Sequence, residues 1–499
     1  MNDILSIDGG FNAGLDLNSY GVNAELLKAI VAGNQRGADY LNVDNVGQGL
    51  KVEALDSVVK ILTNTEKHIV FWKALNKQSV TNTVIEYNQQ LDYGNDTGGF
   101  NLEGETPSFT DGTYRRKSNL IKFMGFSGEV TDAATLVRNA DGVNNYARAV
   151  KNTTALMMRF INKKLTGANS SVIASEFNGL FQQHFEDPDV GNSVLDTYMN
   201  SNQLIDARGV RLTDDMVQDA CHRATNDNFG YCDKIISNPI VFSNYAKGFQ
   251  GLKTVMVNNP VGATTDAIMG QAVKQIATQF GTIDILNDIF FDYKLAKDYN
   301  TAATHAKAPA APTAGTVPTT VNGITTSKFS GFTGDYWYAV TAKNRYGESA
   351  MTLLDTSAVT VGAATDVVDL TFTATAGGAY AAEGYVIYRT EKTQTAYTSK
   401  NAFFPIFELT IAQLGIGYDG AIGTKVRDKN REIPNTHSAF VTVIDPEFFE
   451  YLQLRPISKM DLAVTSPALR YMVLNYGTPA MYQAKKVIRI KNIGNIVPA

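Results

Sequence analysis

The chain has 499 residues, of which 44% are hydrophobic and 19% charged, and it carries a formal net charge of −5. That length suggests about three domains, and the composition is that of a chain able to bury large cores, which excludes a disordered protein. The net charge gives no sign of tight nucleic-acid binding. The two cysteines, Cys221 and Cys232, are too few for a disulfide framework or a zinc cluster, and point to folding in a reducing compartment. The opening MNDILSIDGGFNAG is neither basic nor followed by an apolar core, so a secretory signal is not expected there. No apolar run approaches the roughly 18 to 20 residues that span a bilayer.

In chain order, residues 1–49 are rich in Gly, Asn and Asp and read as an extended arm holding one short helix at 24–33. Leu50, Ala54, Leu55, Val58, Val59 and Leu62 then recur at helical spacing, which predicts a core-facing helix. VTNTVIEYNQQL (80–91) and TYRRKSNLIKFMGFSGEV (113–130) alternate polar with apolar residues and predict strands. Between them, residues 92–112 hold Asp92, Asp96, Glu103, Glu105 and Asp111 and no Lys or Arg, while the returning strand opens on Arg115, Arg116 and Lys117. Two strands joined by a polar tip make a long hairpin, and a hairpin alone is marginal in water. Either the tip is simply solvated, or it is a charged arm that reaches a second subunit.

Val143, Tyr146, Ala147, Val150, Thr154, Met157, Met158, Ile161 and Leu165 hold helical spacing, predicting one long helix over 133–164 with Asp132 as N-cap and Gly167 as stop. Thr213, Asp214 and Asp215 open a further helix, and Pro239 another that runs to about Lys247. Residues 232–238, 252–259 and 275–291 read as strands, the last broken at Gly281. This mixture predicts an α+β domain around a sheet. The stretch 305–320, rich in Pro and Ala, reads as a semi-rigid linker. Only short strand patterns follow, to about Arg431, with Trp337, Tyr338, Val340, Tyr385 and Tyr388 as core candidates of a β-sandwich.

No catalytic, cofactor-binding or metal-ligating residue is expected. His68, His184, His222, His305 and His437 form no HExxH or HxH pattern, and phosphate loops and nucleophile elbows are missing. Cys221 and His222 are neighbours on a predicted helix and face about 100° apart, so they read as a structural thiol and a surface imidazole.

The order of parts is similar to that of the major capsid proteins of tailed bacteriophages, which have the Hong Kong 97-type fold. GLKVEALDSVVKILTNTEKHIVFWKAL (49–75) resembles the lead into that family's E-loop, QFGTIDILNDIFFDYK (279–294) its axial-domain strands, and the run ending in KKVIRIKNI its closing segment. The resemblance covers about residues 20–300 and 437–496. It implies an N-terminal arm and lead-in helix (1–79), an E-loop (80–130), a spine helix and peripheral domain (131–210), the first part of an axial domain (211–304), an insert with its linker (305–436) and a return to the axial and peripheral domains (437–499). The insert resembles immunoglobulin-like or fibronectin type III modules through Tyr338, Val340, Ala342, Asn344, Gly347 and Ser349. Its late-strand motif precedes the early ones, which implies a permuted sandwich, and such modules typically decorate the outside of phage heads.

The implied function is an icosahedral shell around double-stranded DNA, located in the virion and assembled in host bacterial cytoplasm. The implied partners are further copies in hexamers and pentamers, the packaged DNA without sequence-specific binding, and portal, scaffold, decoration or head-tail connector proteins; no membrane is involved. The E-loop residues Asp92 to Lys117 would contact a neighbouring subunit, and the lack of a tip lysine implies a shell held without covalent cross-links. The alternatives are another phage structural protein, of tail or decoration type, and a surface adhesin whose insert binds carbohydrate.

Overall fold

The computed structural model describes residues 66–496 except 91, 95–99, 105, 107–108, 138–142, 185–202, 249–273, 293, 295, 300, 375–379, 393–402, 417–424 and 465. The expected arm, the helices at 24–33 and 50–62, and the strand at 252–259 lie outside the described residues.

Two sheets form the body. The first has the order Asn76–Ser79, Phe449–Asp461, Ala468–Met481 and Lys122–Thr131. Its two long central strands pair antiparallel, and Asn76–Ser79 joins in parallel. The helix Asn145–Gly167 lies against one face, burying Met157, Ile161 and Leu165 with Phe71, Tyr451, Tyr471 and Val473. The close fit of sheet and ring is visible at Gly128, where a Cβ would stand 2.5 Å from the Tyr471 ring. The second sheet runs Leu204–Asp206, Ile488–Ile493, His437–Thr442, Lys234–Ser237, Gly281–Asn287 and Gln275–Thr278. Every residue of Ile488–Ile493 is buried, Arg489, Lys491 and Asn492 included, so its alternation of apolar and polar residues marks no solvent-facing side. Asp214–His222 and Pro239–Gly248 supply Val217, Ala220, Val241 and Phe242 to its core.

One buried polar cluster ties these parts together. The Asp288 carboxylate, just past Gly281–Asn287, accepts from Val70 N (3.1 Å), Phe71 N (2.7 Å), Phe290 N (2.8 Å) and the Asn162 side-chain amide (2.8 and 3.0 Å). Asn162 Oδ1 in turn accepts from Trp72 N at 2.9 Å. The lead-in turn, the long helix and the six-stranded sheet therefore share one set of hydrogen bonds.

Three expectations need correction. The single helix over 133–164 is two: Asp132–Leu136 and Asn145–Gly167. Asp132 is the first helical residue of the short one, and the side-chain cap is Asn144, which accepts from Tyr146 N at 2.8 Å. The strand 113–130 is also two. At buried Ile121 the chain leaves the hairpin strand Tyr114–Leu120 and enters Lys122–Thr131, which pairs with Ala468–Met481. The stretch 305–320 is not a linker: Thr313–Ala314 pairs with Phe372–Thr373, and Thr319–Val321 with Val367–Leu370. Pro309, Pro312 and Pro318 are buried around these short edge pairings, where a residue without an N–H is tolerated.

The strand-rich region expected to be an insert centres on Tyr338–Asn344 and Gly384–Thr390, paired antiparallel and continued by Phe403–Thr410, and it also holds a helix, Ile411–Ile416, where only strands were expected. Smaller pairings, including Thr319–Val321, Val367–Leu370 and Val426–Asp428, cover it. Its base is seated on the body by several polar links. Arg208 Nη1 donates to Asn430 O (3.1 Å), Asn492 Oδ1 accepts from Ile433 N (2.9 Å), and Glu432 bridges Lys294 (2.9 Å) and Arg489 (3.6 Å).

Candidate assembly surface

The hairpin expected to carry subunit contacts pairs Val84–Gln90 with Tyr114–Leu120 over seven residue pairs, closed at its base by Ile121 N donating to Thr83 O (2.9 Å). The strict alternation puts Ile85, Tyr87 and Gln89 on one face and Val84, Glu86 and Asn88 on the other. The first face leans on the body: the Tyr87 ring meets Tyr482 edge-on at 4.8 Å, and the Gln89 amide donates to Tyr482 O. The other face is exposed, and there Arg116 pairs with Glu86 at 3.2 Å.

The neck of the tip is built by its own polar residues. Asp92 Oδ1 accepts from Gly94 N and Thr113 N, both at 3.0 Å, and these bonds hold its carboxyl below the ordinary carboxylate range. Gly94 has φ +105°, and a Cβ there would stand 2.9 Å from Asp111 O. Asp111 Oδ1 accepts from Gly112 N at 2.9 Å. Two of the tip acids therefore form the turn. Glu103 is exposed; Asp96 and Glu105 lie outside the described residues. Arg115 and Lys117 are half-buried on the body-facing side.

Sequence reasoning missed the tip's apolar side chains. Phe100 and Phe109 are completely exposed, and Tyr93, Leu102 and Tyr114 largely so. Singly exposed apolar residues are ordinary; here four fall on the tip and a fifth, Tyr114, opens the returning strand. Their residue types were legible; their exposure was not, because a Gly-rich loop has no periodicity to reveal it.

In the insert, Tyr338, Val340 and Tyr385 are buried in the main core, while Trp337 and Tyr388 lie on the opposite face of the same sheet, with Ala339, Val386 and Phe403. The expected single core is thus two layers, because Tyr299, Met351 and Leu353 cover the second face. Between the main core and the body, Arg389 is fully buried, bonded to Asp428 and stacked over Tyr336 at 4.9 Å. Burial and the Asp428 carboxylate push the Tyr338 hydroxyl well above its usual range. Cys221 and Cys232 are free thiols, buried and hydrogen-bonded together, while His222 is exposed against Phe280. Among the described residues, no three metal-ligating side chains cluster and no helix is long and apolar enough to cross a membrane.

Residues 40–308 match the family described as SU10 major capsid protein, which is more than half of the chain. Relatives include the major capsid proteins of Staphylococcus phage S25-3 and Staphylococcus phage K, each 24% identical over 452 residues that cover 89% of this chain and 90% of theirs. Among solved structures, similarity extends to the capsid of the cyanophage P-SCSP1u (6% identity, TM-score 0.42, 92% of this chain and 98% of that one). It extends also to the capsid of the native GTA particle (6% identity, TM-score 0.44, 90% and 97%).

Proposed function

The chain belongs to the SU10 major capsid protein family and forms the shell of a phage head, and from that premise we propose that its subunits lock together through the hairpin tip. In this reading the fold is of Hong Kong 97 type. The hairpin is the E-loop, Asn145–Gly167 the spine helix, the four-stranded sheet the peripheral domain and the six-stranded sheet the axial domain. Hexamers and pentamers of the same chain close into an icosahedral shell around double-stranded DNA.

The observation that carries the reading is the tip itself. A hairpin that leans on its own body through residues that include Tyr87 and Gln89 ends in exposed Tyr93, Phe100, Leu102 and Phe109. Burying a Phe side chain is worth roughly 1.5–3 kcal/mol, so seating Phe100 and Phe109 on a neighbour supplies roughly 3–6 kcal/mol per contact before ordering costs. The acidic residues then set register more than affinity. Exposed Glu103 is available for this; Asp92 and Asp111 are committed to the neck. Rim ion pairs add about 0–1 kcal/mol each, and symmetry repeats every contact throughout the shell.

The insert is proposed to be an immunoglobulin-like module on the outside of the head. Its polar seating through Arg208, Glu432 and Asn492 supports a fixed orientation.

The test is the double substitution Phe100→Ser with Phe109→Ser. The subunit should keep its wild-type circular dichroism and melting, since neither ring is buried within it, yet form few or no shells in electron micrographs. Wild-type yields of intact shells would defeat the reading.

A further inference from the structure

The helix Asn145–Gly167 carries Arg148, Lys151, Arg159, Lys163 and Lys164 and no Asp or Glu, in a chain whose total charge is −5. At about 100° per residue, Arg148, Asn152, Arg159 and Lys163 fall on the side away from Met157 and Ile161, which are buried in the core, with Lys151 at its flank; at the helix's C-terminal end that side is covered, since Asn162 and Thr166 are buried there. Lys151 and Asn152 are exposed; Arg148, Arg159 and Lys163 are half-buried. Lys164 lies apart and is bridged to Glu176. Solvated helix faces usually mix both signs at i,i+4 spacing; this one gathers a single sign at an electrostatic cost. Burial and the neighbouring Arg159 charge lower the affinity of the Lys163 amine for its proton, and that amine sits over the Phe290 ring at 5.4 Å.

From Arg148 to Arg159 the helix runs about 16 Å, a length over which double-stranded DNA presents roughly 10 phosphates. We propose that this face is the subunit's polyanion-facing surface and lies along the phosphate backbone of the packaged double-stranded DNA. The proposal deepens the shell reading and rests on it. It requires no base recognition: the face offers cations and an amide but no aromatic ring on which a base could stack. Each subunit contributes a few weak, salt-sensitive contacts, and the shell repeats them over its whole lining.

The experiment titrates double-stranded DNA against purified full-length capsomers at several salt concentrations, for the wild type, Lys151→Glu, and Arg148→Gln with Lys151→Gln. Electron microscopy of the same preparations records shell assembly. Neutralising two phosphate contacts should flatten the slope of log K against log salt by about 2, with shells still forming. Lys151→Glu alters one exposed side chain, so it keeps the test valid if the double variant folds poorly; it should flatten the slope by at least about 1. Unchanged slopes, or a wild type that does not bind DNA, would overturn the proposal. Folded variants that bind DNA normally but no longer assemble would also overturn it, by assigning the face to an acidic segment of another copy, and would leave the shell reading standing. A wild type that never assembles strikes the shell reading itself.

Discussion

Asn162→Ala tests the polar cluster that joins the lead-in turn, the long helix and the six-stranded sheet. The substitution removes the amide that donates to both Asp288 oxygens and the carbonyl that accepts from Trp72 N. Asn162 is almost completely buried, so water does not readily replace either group. Losing a hydrogen bond to a charged group costs about 1.5–3 kcal/mol, and an orphaned buried N–H about 1–3 kcal/mol more. The expected destabilisation is therefore about 2.5–6 kcal/mol, a large share of the roughly 5–15 kcal/mol that keeps a typical domain folded. Urea unfolding of dissociated subunits measures it, with Asn152→Ala on the solvent face of the same helix as a control expected within about 0.5 kcal/mol of wild type. A double-mutant cycle with Asp288→Ala should give a coupling of at least about 1 kcal/mol. A loss below about 1 kcal/mol for Asn162→Ala, or additive effects in the cycle, would refute the claim that this cluster ties the parts together.

Gly384→Ala would place a Cβ 2.3 Å from Val172 Cγ1 and 2.8 Å from Leu409 O. It should cost about 1–3 kcal/mol and appear first as faster protease cleavage in the insert. Burial holds His437 below its ordinary value of 6.5, with Lys294 adding to that and Asp292 opposing it. The unfolded chain therefore binds the extra proton first, and stability present above pH 6.5 is lost as pH falls through that value. Acid unfolding curves for wild type and His437→Gln should diverge in that window. Glu348 is raised by burial but lowered more by Lys297 and by the Lys297 and Tyr388 hydrogen bonds, a net depression. Its contribution is present above its unfolded value of 4.5 and lost as pH falls through the lower folded one, so Glu348→Gln should flatten the stability profile below pH 4.5.

Local periodicity made part of this fold legible. Met157, Ile161 and Leu165 announce the buried stripe of the long helix, and Gly281, at φ +126°, marks the turn between two strands. The break before Asn145 was hidden because residues on either side happen to share helical spacing; Asn144, a strong capping residue, was the signal available. Pro309, Pro312 and Pro318 read as linker because composition does not record that they are buried against short edge strands. The Asp288–Asn162 cluster joins residues 126 apart, and the insert's seating joins Arg208 to Asn430, 222 apart; nothing local encodes either. The acidic residues of the tip drew the eye to charge, whereas two of them build the neck and the exposed rings stand beyond it.

A cryo-electron-microscopy reconstruction of particles assembled from the full chain tests the account most directly. Closed shells in which residues 92–113 of each copy lie on a neighbouring copy, with Phe100 and Phe109 buried there, are the predicted result. Shells in which both rings remain in solvent would contradict it.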